Sequence, residues 1–528
     1  MKIKKHLFLQ GLLFNFSIVS LFASCISCQE NSDNLDQPEN NPTVETTARQ
    51  LVIKDNITYQ TIDNFGASDA WSTQFVGKWP QAKKDAMADL LFSKERDEQG
   101  NPKGIGLSLW RYNLGAGSAA QGSSSGISDP WRRGESFIVP ETGKYDWNKM
   151  TGQVWFANAA KTRNVEKLLV FTNSPPVTIT RNNKAFTSDP NLSNLAPENY
   201  DDFATYLADV IEAMAEKGLE VDYISPVNEP QWDWTGGQEG TPFWNNEIAG
   251  IVKNLNQELI QRNLTTSIDL SEAGQINYLY EEGNKPGRSK QINEFFNSSS
   301  DNYIGDLQLV GNAITGHSYF TTSPYSAMVS TRQKLNSEIE SIPGLKYWMS
   351  EYCILGDNAG EIEGSGRDLG INPALYIARV IHSDLTVSNA SAWHWWLAIS
   401  PYDYKDGLIY VDKNEEDGNF YESKMLWALG NFSRFIRPGF QRIDISSSNS
   451  NKDFLFSAYK NPETGEKVVV VINSKHEDLP INLEDQTEDF GDLKAYVTSA
   501  TKDLQETDLM EEGSISIPKR SITTLIYK

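Results

Sequence analysis

Between about residue 60 and residue 430 the chain alternates short apolar runs with longer stretches whose apolar residues recur at helical spacing. The apolar runs predict strands over 61–67, 106–114, 167–173, 221–228, 267–272, 309–317, 347–351 and 392–397. Helices are predicted over 81–92, 148–163, 197–217, 245–262, 372–387 and 422–436; in the third, Tyr200, Phe203, Leu207, Val210, Ile211 and Met214 share one face. Eight strands, each followed by a helix or a long connection, predict an α/β fold, a (β/α)8 TIM barrel over 61–437. Such barrels build their sites from loops at strand carboxyl ends, and the connections 115–144 and 230–244 are long. After Pro438 the pattern shortens. Alternating runs at 454–459, 467–473, 493–497, 514–517 and 521–527, punctuated by Asn461-Pro462 and Thr464-Gly465, predict a small antiparallel β domain over 438–528. Two strand-like runs within 50–60 precede the barrel and are expected to pair into that domain, a side β-sandwich built from both chain ends. No repeat recurs at a fixed period.

The first 28 residues read as an address. Lys2, Lys4 and Lys5 precede an apolar stretch over 7–23 that Gln10, Asn15, Ser17 and Ser20 interrupt, too short and polar for a comfortable membrane span. Phe22-Ala23-Ser24 before Cys25 resembles a bacterial lipoprotein signal, with Cys25 as the lipidated residue and Cys28 as the second candidate. Residues 29–49, rich in Asn, Asp, Glu, Pro and Thr, then read as a flexible, solvated tether. The expected location is outside the cytoplasm, on the outer membrane or cell surface with the periplasmic face as the alternative, held to the membrane through the lipid only.

Composition narrows the chemistry. The 528 residues carry 47 Lys+Arg against 70 Asp+Glu, a net charge of -23, and so acidic a surface repels phosphates. Nucleic acid is therefore excluded as an electrostatic partner. All 14 Trp lie between Trp71 and Trp427, so the middle and the ends of the chain do different work. Only Cys353 lies outside the address segment, so no intrachain disulfide and no Cys-based zinc site is expected. With four His in the rest of the chain and no HExxH, P-loop, GxGxxG or GxSxG signature where it would matter, no metal and no cofactor are expected, and a monomer is expected.

Two strand ends carry carboxylates. In SPVNEPQWDW, Pro230 cannot continue the strand, which leaves Asn228-Glu229 at its end with Trp232 and Trp234 close behind. A carboxylic acid beside apolar rings has its charged form disfavoured, as a general acid requires; the alternative is a structural Glu at a strand–loop junction. In KYWMSEYCILGD another strand ends on Glu351, for which Arg111 and Tyr319 are candidate partners. Arg111 is expected to keep Glu351 ionised and lower its pKa; the alternative is a structural salt bridge. Two carboxylates in contrasting environments suit glycosidic cleavage. Tryptophans near strand ends, among them Trp71, Trp232 and Trp395, offer faces on which sugar rings stack. Asn173 and His317, and Glu272 with them, are strand-end polar groups that fit either a site or a structural role.

These motifs resemble glycoside hydrolase family 30: NFGASDAW, GLSLWRYNLGAG, FTNSPP, SPVNEPQWDW and WMSEY occur in order, and the resemblance runs from about Ile53 to the C-terminal SITTLIYK. The resemblance implies a (β/α)8 barrel with a side β-sandwich and retaining cleavage of β-glycosidic bonds. It implies Glu229 as acid/base, Glu351 as nucleophile and Asn228 on the sugar 2-hydroxyl. Arg111, Asn173, Trp71, Trp232, His317, Tyr319 and Trp395, read from their strand-end positions and chemistry, are the other candidate substrate-binding residues. The stretches SSSGISDPWRRGESF and QEGTPFWNNE look most like endo-β-1,6-galactanases, which makes a galactan or arabinogalactan polysaccharide the expected substrate. The alternatives are a β-1,6-glucanase, a xylanase or an exo-acting β-glycosidase of the same family, or a non-catalytic glycan-binding lipoprotein.

Overall fold

The computed structural model describes residues 48–447, 451–485, 492–511 and 513–528. The address segment, with Cys25 and Cys28, lies outside the described residues. Eight parallel strands form the barrel: β2 (Asn64–Ser68), β3 (Leu109–Asn113), β4 (Lys167–Phe171), β5 (Tyr223–Ser225), β6 (Ser267–Ala273), β7 (Val310–His317), β8 (Lys346–Tyr352) and β9 (Ala392–Ser400). Each pairs with the next, β9 returns to β2, and pairing of Trp348 with Ala392 joins β8 to β9, closing the sheet. The strands are short and buried on both faces, which is why they read as apolar runs rather than alternation.

Helices α1 (Gln81–Phe92), α2 (Thr151–Thr162), α3 (Tyr200–Glu216), α4 (Asn245–Gln261), α5 (Gln291–Phe296), α6 (Tyr325–Glu340), α7 (Ile371–Thr386) and α8 (Lys424–Ser433) lie between or after the strands. The six residues expected on one face of α3 are all buried. After β9 the sheet continues into a hairpin, β10 (Gly407–Val411) and β11 (Phe420–Glu422), that lies outside the closed barrel.

The second sheet uses both chain ends. Strand β1 (Arg49–Thr61) is one long strand where two short runs were expected. It pairs antiparallel with β12 (Gln441–Ser446) and parallel with β15 (Leu479–Asp485). Strands β13 (Phe454–Lys460), β14 (Lys467–Asn473), β16 (Lys494–Thr498), β17 (Ser514–Ile517) and β18 (Ser521–Tyr527) extend it by antiparallel pairing, and the two-residue strands Gln505–Glu506 and Met510–Glu511 form its edges. The run KVVVVIN in β14 faces two cores. Val468, Val470 and Ile472 pack into the barrel's core, and Val469 and Val471 into the sandwich's own. A strand covered on both sides has no polar face to show, so this run lacks alternation.

Candidate active site

Residues on all eight barrel strands, or just after them, supply one buried cluster and the cleft above it. At its base Arg111, on β3, is fully buried with its guanidinium 3.7 Å over the Phe171 ring. Its Nη1 donates to Glu351 Oε2 at 2.6 Å, and its Nη2 to Asn228 Oδ1 and Glu272 Oε2 at 3.1 Å each. Asn228 Nδ2 in turn donates to Asn173 Oδ1 at 3.1 Å, which fixes the orientation of the Asn228 amide. Tyr319 donates its hydroxyl to Glu351 Oε1 at 3.1 Å. Both partners expected for Glu351 are therefore in place.

His317 sits between three carboxylates. Its Nδ1 is 3.0 Å from Glu229 Oε1 and 3.5 Å from Glu351 Oε1, and its Nε2 is 2.7 Å from Glu272 Oε2. Burial works against its charge, yet Glu351, Glu229 and Glu272 hold its pKa up to about 10. The imidazole is then an imidazolium that donates from both nitrogens. Glu272 is also fully buried and takes a further hydrogen bond from Ser350 Oγ at 2.8 Å. Burial alone would raise its pKa, but Arg111 and His317 drive it far below the usual carboxylate range.

Glu351 departs from expectation. Arg111 does pull its pKa down, and so does His317, but burial is the largest influence and Glu229 and Glu272 add to it. The net direction is upward. Arg111 does not decide the outcome because three carboxylates share the two cations.

Glu229, His317 and Glu351 present ligand atoms within 4.8 Å of one another, a spacing a metal ion could also use. The donor chemistry argues otherwise. Both nitrogens of His317 point at carboxylates and both carry protons, so the ring offers no lone pair, and Arg111 already supplies the positive charge.

The cleft above this cluster has a volume of about 390 Å³ and is walled by Trp71, Asn173, Asn228, Glu229, Trp232, Trp234, Gln238, Tyr319, Phe320, Glu351, Leu355 and Trp396. Of the residues expected at the site, Arg111 and His317 lie beneath the cleft rather than in its wall. Trp395 is a correction. The pleat of β9 turns Trp393 and Trp395 outward, where Trp393 Nε1 donates to Asp384 of α7 and Trp395 Nε1 to the Asp406 carbonyl. His394 and Trp396 take the other face; His394 bonds Asn64 and Trp396 lines the cleft, edge-on to Trp71 at 5.3 Å. Trp110 packs in the core against Phe92 and Phe156.

Gln238, Phe320 and Leu355 were not expected. Phe320 is 58% exposed and edge-on to Trp232 at 6.3 Å. Its neighbour Tyr319 in GHSYF is the only hint the sequence offers for it. Backbone strain marks the same place: Trp71, Glu229, Trp234, Ser271, Glu272 and Phe320 all have φ between 26 and 89°. Such conformations persist where surrounding structure over-determines them. Here the Glu229 N–H donates to the Glu272 carbonyl at 2.8 Å, and Trp234 Nε1 to the Glu229 carbonyl at 3.0 Å. Trp234 also lies so close over Gly240 that a Cβ there would be 2.3 Å from its ring.

The two long loops are tied by Glu239. Buried beside the cleft, its carboxylate accepts from the backbone N–H groups of Ala116, Ser118 and Gly134 and from Ser118 Oγ. Burial raises its pKa against those bonds.

Comparison with known proteins agrees with this geometry. The family model described as O-glycosyl hydrolase family 30 matches residues 48–410, and that of the family 30 β-sandwich domain matches 439–525. The chain belongs to glycoside hydrolase family 30. It is 25% identical over 417 residues to an endo-β-1,6-galactanase of Hypocrea rufa, covering 76% of this chain and 77% of that one. It is 24% identical over 348 residues to the glucuronoxylanase XynC of Bacillus subtilis strain 168, covering 64% and 68%. A crystal structure of a conserved exported protein from Bacteroides fragilis superposes with a TM-score of 0.84 at 34% identity, covering 90% of this chain and all of that one. As a family 30 member the protein is an O-glycosyl hydrolase.

Proposed function

We propose that this family 30 hydrolase is a retaining, endo-acting β-1,6-galactanase. One observation carries the mechanism: Glu229 and Glu351 face one cleft above a buried cluster in which Arg111 and His317 bond Glu229, Glu272 and Glu351, with a fourth carboxyl, Asp269, beside Glu272. Glu272 is held ionised, which leaves Glu229 and Glu351 as the pair for double displacement. Arg111 and the Tyr319 hydroxyl both bond Glu351 and orient it as the nucleophile; Glu229 serves as acid/base. Glu229 gives its proton to the leaving glycosidic oxygen while Glu351 attacks C1 and forms a glycosyl-enzyme. Glu229 then takes a proton from the water that attacks C1 and releases the sugar. One oxygen of each carboxylate lies within 4.8 Å of the other, in keeping with the short separation of retaining enzymes, roughly 5–5.5 Å between carboxyl groups.

The galactan assignment rests on the two loop stretches 123–137 and 238–247 and on the similarity to the Hypocrea rufa enzyme. Product profiles on β-1,6-galactan, β-1,6-glucan and glucuronoxylan test it. The expected result is a ladder of galacto-oligosaccharides at early times from galactan. Galactose alone would make the enzyme exo-acting, and cleavage confined to another polymer would overturn the substrate. We further propose export and lipid anchoring at Cys25, with Cys28 as the alternative, supported by the signal pattern and by the exported relative of Bacteroides fragilis. Palmitate labelling that survives Cys28→Ala and vanishes in Cys25→Ala is expected; a freely soluble, lipid-free mature protein would refute it.

A further inference from the structure

The cleft does not end at its own wall. Trp71 lies edge-on to Tyr402 at 6.1 Å, and the Arg132 guanidinium sits 4.9 Å over Trp71 and 5.1 Å over Tyr402. On a second side, the cleft residue Leu355 follows Ile354, whose N–H donates to the Lys405 carbonyl. Tyr404, next to it in sequence, bridges Ser365 and is 43% exposed. Arg367 Cζ lies 4.7 Å over Tyr410 and 5.9 Å over Tyr421, itself 38% exposed on β11. Trp71 and Tyr402 with Arg132, Tyr404 beside Asp403, to which the Arg367 backbone N–H donates, and Tyr421 under Arg367 thus set a discontinuous aromatic and cationic rim from the cleft out to the hairpin. Among the described residues neither arginine is in an ion pair. Asp406 lies within Coulombic reach of both arginines and Asp412 of Arg367, and Arg132 hydrogen-bonds Tyr402. A guanidinium carries five N–H donors, which leaves donors on each for another partner.

The chemistry fits sugar. Pyranose rings present apolar C–H faces to exposed aromatic rings and hydroxyls to guanidinium donors, while a protein partner would need a larger continuous apolar patch than separate tyrosines provide. The hairpin is not needed to close the barrel, and Tyr421, whose hydroxyl donates to Asp412 Oδ1 at 3.2 Å, remains 38% exposed on it. We propose that this rim is a distal sugar-binding track, holding further pyranose units of the chain whose scissile bond lies between Glu229 and Glu351. This rests on the glycanase reading above.

The test is Tyr404→Ala/Tyr421→Ala in the full chain. KM is measured on the polymer that the wild type cleaves best and on the shortest oligosaccharide of the same linkage that it cleaves. The expected result is a rise of about tenfold in polymer KM, with kcat on the polymer and kcat/KM on the short substrate changed less than twofold. Tyr404→Phe/Tyr421→Phe, which keeps both rings, is expected to restore the polymer KM. An unchanged polymer KM, or an equal loss on both substrates, overturns the track, as does a wild type that cleaves no polymer. If the double variant loses its cooperative melt, Tyr404→Ala alone carries the test with an expected rise of about threefold. Cleavage of glucan or xylan in place of galactan would sink only the galactan assignment, since the comparison is then made on that polymer.

Discussion

Glu272→Gln is close to a pure removal of charge. Arg111 Nη2, His317 Nε2 and Ser350 Oγ all donate to the same atom, Glu272 Oε2. An amide oxygen placed there accepts all three; the amide nitrogen replaces Oε1, so the 3.3 Å bond from Ser225 Oγ is lost while Ser225 keeps its 2.8 Å bond to Asp269. The three bonds to that oxygen therefore survive while the negative charge of Glu272 disappears. Taking away a buried negative charge makes every proton nearby easier to lose. At an effective dielectric constant of about 20 and a separation of about 6 Å the interaction is worth roughly 2.8 kcal/mol, or about two pH units. Relaxation and water entry reduce this, so a shift of about one to two units is expected. Both limbs of the pH–rate profile should move in the same direction. The acid limb moves down because Glu272 is one of the groups that raise Glu351. The alkaline limb moves down because Glu272 is one of the groups that hold His317 up. The assay is kcat/KM against pH on a soluble oligosaccharide, with thermal melts at each pH to confirm a folded protein. A bell that falls in height without moving would mean that Glu272 acts only by packing, and an upward shift would refute the charge count itself.

Three further outcomes follow from the same geometry. Glu351→Ala should melt cooperatively yet lose at least about a thousandfold in kcat, since the covalent route is closed, and near-normal turnover would remove it from the mechanism. Because burial holds Glu351 above the usual range, the acid limb of wild-type kcat/KM should lie above about 4.3, the ordinary Glu value; a limb below that contradicts the crowding of carboxylates. Trp396→Ala, itself a buried deletion, should raise KM several-fold in the folded variant, whereas Trp395→Ala should cost about 3–5 kcal/mol of stability as a buried core deletion with KM little changed. Equal effects on KM from both would contradict the pleat of β9.

Much of this was legible from the chain because its periodicities are physical. All eight barrel strands fall where apolar runs end on polar residues, and both strand-end glutamates reach one cleft. The omissions share a cause. Helix α6 buries only Met328, Arg332, Leu335 and Ile339, so its apolar face is too thin to stand out in YSAMVSTRQKLNSEIE. Strands β12 and β15 escaped because charged residues interrupt QRIDIS and LPINLED. Trp395 against Trp396 is a question of parity, and a one-residue choice reverses the face. The direction for Glu351 could not be read locally. It depends on Glu229, Glu272 and His317, which arrive from three other strands, and no spacing in the sequence counts charges across them. Glu239 shows the same limit, because its donors lie more than 100 residues away in the chain.

The cluster is costly to assemble, and the fold shows how the cost is met. Glu229 and Glu272 sit in left-handed backbone, and such residues typically cost about 1–3 kcal/mol each. Three buried carboxylates against two cations add a desolvation penalty. Neither serves folding, since a hydrophobic replacement of similar volume would do so better. Support comes from the surroundings: the closed barrel buried on both faces, the Glu239 carboxylate with its four donors, and β14, whose alternate valines join the barrel core to the sandwich core. The sandwich thus acts on the site indirectly. It packs on α7 and α8 at one side of the barrel and so adds to the core behind the strand ends that hold this arrangement of charge and backbone.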